Sequence, residues 1–111
     1  MAGSQPTIST HVLDTGLGRP AAGIRVTLYR LLEGGRTVRM SDAMTDDDGR
    51  VADLAGRPLQ AGDYRLQSRA RDDDSSFFRS VAVDFRITDV TRSYHVPLLV
   101  SPFGLITYLG S

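Results

Sequence analysis

A chain of 111 residues holds one hydrophobic core and is too short for two independent ones. Apolar residues make up 41% of it with no run near the ~20 needed to cross a bilayer. It has no cysteine, which excludes disulfides and thiolate chemistry; its 13 bases, all arginine, balance its 13 acids, which argues against an electrostatic nucleic-acid binder. The first six residues carry neither a basic region nor an apolar one, so no secretory signal is read there. Residues 1–6 are expected to be a disordered tail, residues 7–111 the folded domain, and the location cytoplasmic.

In chain order, residues 7–13 alternate Ile8, Thr10 and Val12 against Ser9, His11 and Leu13, the period of two expected of a strand. A turn-rich segment, 14–20, follows. Residues 23–31 set Ile24, Val26 and Leu28 against Arg25, Thr27 and Tyr29, a second strand with one wet face, closed by a hairpin loop at Glu33, Gly34 and Gly35. A weaker strand at 37–45 leads into Asp46-Asp47-Asp48-Gly49, where carboxylates and a glycine suit a tight turn with positive φ.

Further strands are expected at 50–53 and, after a loop at 56–62, at 63–69. The segment 72–76, with three aspartates and two serines, has loop composition, although a short helical turn over 75–80 is compatible with it. The last third supplies strands at 81–87, 94–100 and 105–108, and Pro97 points to an edge position or a bulge for its strand. Eight short strands with hardly any helical period imply a two-sheet sandwich.

The candidate chemistry is narrow. The chain has two histidines, His11 on the first strand and His95 on the penultimate one. Their neighbouring aspartates fall into no zinc-ligand spacing, and the aspartate runs lack the alternation of a calcium loop, so no metal and no cofactor are expected. Neither a nucleophile elbow nor a phosphate loop is present. What remains is a site in which imidazole activates water and a guanidinium stabilises developing negative charge.

Taken together, Ile8-Ser9-Thr10-His11-Val12-Leu13-Asp14, Gly18-Arg19-Pro20-Ala21-Ala22-Gly23, Thr45-Asp46-Asp47-Asp48-Gly49-Arg50, Ala61-Gly62-Asp63-Tyr64 and Tyr94-His95-Val96-Pro97-Leu98-Leu99-Val100-Ser101-Pro102 resemble the transthyretin-like family, and within it the 5-hydroxyisourate hydrolase branch. The resemblance spans nearly the whole chain. It implies an all-β, eight-stranded prealbumin-like sandwich with at most one short helix, assembled as a homotetramer with sites in the channel where two dimers meet. It also implies a hydrolase of purine catabolism that opens the lactam ring of a small cyclic substrate, with no nucleic-acid or membrane partner. By the same resemblance His11, Arg50 and His95 would be catalytic, one histidine as general base and Arg50 at the oxyanion. Tyr108, Leu109, Gly110 and Ser111 would contact substrate.

Two departures stand out. Leu109 occupies the place of an arginine and Leu105-Ile106 that of a Tyr-Ser pair, so the end of the chain is more apolar than in the enzymes. Residues 68–80 also lack the Phe-x-x-Gly-x-Tyr-Phe pattern usual there and hold three consecutive aspartates. A lost guanidinium that leaves a buried ligand atom unpaired would cost about 1 to 3 kcal/mol of binding. The alternatives this raises are an enzyme turned to a less polar cyclic compound of specialised metabolism, and a non-catalytic small-molecule carrier.

Overall fold

The computed structural model describes residues 5–111, so most of the expected N-terminal tail lies outside the described residues. Among the described residues nine strands form two sheets. In the first, β1 (Ile8–Asp14) runs parallel to β8 (Tyr94–Ser101), which pairs in turn with β9 (Gly104–Thr107). Two short strands, β2 (Arg19–Pro20) and β5 (Arg50–Val51), share the other edge of β1. The second sheet is antiparallel throughout, in the order β4 (Thr37–Met44), β3 (Arg25–Leu31), β6 (Gly62–Arg69), β7 (Ser80–Ile87).

The alternation of apolar residues sets which side of each strand enters the core. Ile8 and Val12 of the first sheet meet Val26, Leu28, Leu66 and Ile87 of the second, all at most 1% exposed. Each such side chain contributes about 1.5 to 3 kcal/mol by leaving water. Thr10, equally buried, donates its hydroxyl to the Val96 carbonyl at 2.7 Å, so no polar atom is stranded there. The outer faces of the sheets differ in kind. That of the second sheet carries ion pairs Arg25–Asp42, Arg65–Asp84 and Arg86–Asp63, each bridging paired strands. They are solvated and screened, and serve register more than stability. The outer face of the first sheet holds Ser9, His11 and Leu13 beside His95, Pro97 and Leu99.

Several expectations need correction. The strand expected at 50–53 is only two residues long, because Asp53 turns the chain by accepting the Ala55 N–H at 2.9 Å. The loop expected at Glu33, Gly34 and Gly35 is a single 3-10 turn. No helix forms over 75–80. Asp74 instead accepts both the N–H and the hydroxyl of Ser76, a local bond that competes with helix, and Arg79 caps the loop by donating to the carbonyls of Arg71, Asp74 and Ser76.

Pro97 lies neither at an edge nor in a bulge. It sits within β8, between β1 and β9, yet costs no ladder bond. His95 and Pro97 both turn their backbone groups toward β9, as shown by the bonds that their carbonyls accept from the Gly110 N–H and the Thr107 hydroxyl. The missing donor of Pro97 therefore falls in the gap between the end of β9 at Thr107 and the isolated bridge of His95 with Gly110.

Candidate active site

Three side chains expected to act together are brought to the outer face of the first sheet by strand register. His11 is the antiparallel partner of Arg50, and Ser9 is the parallel partner of His95, two residues along the same strand from His11. Both histidines are half-buried and Arg50 is exposed.

The turn ahead of Arg50 is built by its first aspartate. Asp46 Oδ1 accepts the N–H groups of Asp48 and Arg50, each at 2.9 Å, and Gly49 turns with φ of 76°. The Gly49 carbonyl then accepts the Val12 N–H at 2.7 Å, which ties the turn to β1. One product of this geometry is not legible in the residue types. The carbonyl of Asp48 lies 2.8 Å from His11 Nε2, and since a carbonyl only accepts, that nitrogen carries the proton.

His95 is held from two sides. Its Nδ1 is 2.8 Å from the Ser9 hydroxyl, and its carbonyl accepts the Gly110 N–H at 2.7 Å. Gly110 passes so close that a Cβ there would stand 2.6 Å from His95 Cδ2, so only glycine fits without moving the ring. Burial, and after it the positive charge of His11 and Arg50, lowers the His95 pKa below its ordinary 6.5. The imidazole is therefore neutral at neutral pH and free to accept a proton.

Among the residues at the end of the chain, Gly110 meets His95 directly, and the exposed Tyr108 falls in the register of Pro97 on the same strand. Ser111 follows beyond the bridge, exposed. Leu109 stands apart. The register that pairs His95 with Gly110 sets Leu109 on the side of Val96, where it lines an apolar groove between the sheets with Val83, Phe85 and Tyr94. Its substitution for arginine therefore removes no donor from beside the imidazoles within this chain. Leu109→Arg should change kcat/KM by less than about threefold, roughly 0.6 kcal/mol, in a steady-state assay. A gain of tenfold or more would instead put that position in contact with substrate.

Ser9 and the Asp48 carbonyl are contacts of the two imidazoles that residue types do not announce. Ser9 shares the face of His11 by strand alternation, which is a signal in the sequence. Its contact with His95 depends on β1 and β8 being parallel and in register, which is not. Among the described residues no three His, Asp or Glu side chains are grouped as a metal site requires.

Residues 8–110 match the model of the HIUase/Transthyretin family. The chain is similar to a 5-hydroxyisourate hydrolase of Halalkalibacterium halodurans, with 40% identity over 94% of this chain and 97% of that one. Its structure is similar to that of the 5-hydroxyisourate hydrolase of Klebsiella pneumoniae, with a TM-score of 0.80, 38% identity, and 95% and 99% of the two chains covered. Transthyretin from Sparus aurata, at a TM-score of 0.84 and 22% identity over 93% and 95% of the two chains, shares the fold.

Proposed function

Because the chain belongs to the HIUase/Transthyretin family, we propose that it is a hydrolase that opens the lactam ring of 5-hydroxyisourate. The observation that carries this is the convergence of His11, Arg50 and a neutral His95 on one sheet face of a chain 40% identical to such an enzyme. In the reaction His95 removes a proton from water as the water oxygen attacks the carbonyl carbon. The guanidinium of Arg50 stabilises the tetrahedral oxyanion, and the C–N bond breaks as the leaving nitrogen takes the proton back from the imidazolium. His11, with its Nε2–H committed to the Asp48 carbonyl, has only Nδ1 left, an acceptor that orients the substrate; Tyr108, Gly110 and Ser111 border the substrate.

Freshly generated hydroxyisourate, followed by its ultraviolet absorbance, tests the reading directly. Decay at the spontaneous rate in the presence of purified protein would sink it. The pH profile adds a second check. Since the pKa of His95 lies below 6.5, kcat/KM should be flat through neutrality and fall in acid with a midpoint under 6.5. A midpoint above that value would count against His95 as the base.

The imidazoles lie on an open sheet face, and a second copy of the chain across that face would enclose them and exclude water. We therefore infer the family's homotetramer, acting in the cytoplasm; a monomer in sedimentation at micromolar concentration would remove the enclosed site. A second reading has its own observation. Leu13, Leu99 and Ile106 form a register row on the face of the imidazoles, and Ile106 is 62% exposed. Such a row favours a less polar cyclic amide. Comparing kcat/KM for hydroxyisourate with that for apolar-substituted cyclic amides decides between the two.

A further inference from the structure

We propose that Ser9 is a positioning residue for His95: its hydroxyl accepts the Nδ1–H bond, holds the lone pair on Nε2, and so makes Nε2 the atom that exchanges protons with water and leaving group. The inference rests on the hydrolase reading above and adds to it the atom that acts and the residue that selects it.

Geometry comes first. Ser9 Oγ lies 2.8 Å from His95 Nδ1, and the two residues are register partners on adjacent parallel strands, so the contact is fixed by two backbones. On the other side of the ring Gly110 packs against Cδ2, with no room for a side chain. The imidazole is thus bounded at Nδ1 and at Cδ2. Its free edge is Nε2 and Cε1.

A hydroxyl could donate to Nδ1 as well as accept from it. Donation would leave a hydrogen on Nε2, and that N–H would be a donor near a cation. Of the two groups whose charge acts on His95, His11 from β1 and Arg50 from β5, the guanidinium is the one that is always charged. A lone pair at Nε2 is favoured near it. Acceptance by Ser9 also survives the reaction, because Nδ1–H persists and donates more strongly once Nε2 is protonated. The proton taken from water stays on Nε2 until the leaving nitrogen claims it, and none passes to Ser9. His11 is held in the opposite sense, with hydrogen on Nε2 toward the Asp48 carbonyl. One ring therefore offers its outer nitrogen as a base, and the other has that nitrogen tied down.

The chain has two histidines, so ring nitrogen spectra are simple. In protein labelled with ¹⁵N-histidine and assigned with His11→Gln, the long-range ¹H–¹⁵N spectrum at neutral pH should show a pyrrole-type Nδ1 and a pyridine-type Nε2 for His95. His11 should show the reverse. Ser9→Ala should weaken the His95 preference and lower kcat roughly 3- to 10-fold with KM little changed, as expected for one hydrogen bond. It should also move the acid limb to lower pH, because the imidazolium loses its acceptor. Ser9→Thr, which keeps the hydroxyl, should restore kcat to within about twofold. A pyridine-type Nδ1 on wild-type His95, or a Ser9→Ala variant with wild-type kcat and acid limb, would overturn the proposal. Absence of wild-type activity would overturn the hydrolase reading alone, since the tautomer measurement requires no turnover.

Discussion

Truncation of His95 to alanine should lower kcat/KM for ring opening by about two to three orders of magnitude, the usual worth of a positioned general base. The loss should appear in kcat. On the proposed mechanism, removing the ring takes away the proton acceptor at the transition state and leaves the proposed ground-state contacts from Arg50 and the end of the chain in place. Stability should change little by comparison. His95 lies on the outer face of its sheet, half-buried, and its one side-chain bond is to Ser9. That bond has a net worth of about 1 kcal/mol, which for a domain of this size lowers Tm by no more than about 8 °C. Kinetics and a thermal melt on the same preparation separate the two effects. Activity within tenfold of wild type in a well-folded variant would show that proton transfer runs through another group.

How far the site was legible in the residues follows from which contacts are local. The alternation in residues 7–13 and 23–31 marks the core sides, because a slip of one residue would reverse every side chain; the exception is Thr27, on the face read as wet, which is buried at 8% exposure beside Asp42. The turn at Asp46-Asp47-Asp48-Gly49 is equally plain, since its bonds close within four residues. Non-local facts are not encoded in this way. That β1 and β8 lie parallel, with Ser9 opposite His95, depends on the whole sandwich closing. The side taken by Leu109 is a matter of parity, fixed by the pairing of Gly110 with His95 across a gap in the ladder. Pro97 misleads for a related reason: its cost depends on whether its nitrogen faces a partner, and here that partner's strand has ended.

Gly49→Ala should destabilise the protein by about 2 to 4 kcal/mol and, in whatever folds, damage the site as well. Two costs combine. At φ of 76° any residue with a Cβ is strained, by about 1 to 2 kcal/mol. Here the added carbon would also fall against the Val12 carbonyl oxygen, which is backbone in a strand and already accepts the Ala21 N–H at 2.9 Å. Relief requires moving the turn away from β1. That movement carries off the Asp48 carbonyl, the partner of His11, and shifts Arg50, the next residue in the chain. A displacement near 1 Å costs on the order of a hundredfold in rate. Gly34 supplies the control, because it has nearly the same φ, 74°, and no atom within 4 Å of its would-be Cβ. Gly34→Ala should therefore show the strain alone, with Tm lowered by several degrees and kcat/KM unchanged. If the two variants melt together and retain equal activity, the contact between the turn and Val12 does not govern the position of His11 and Arg50.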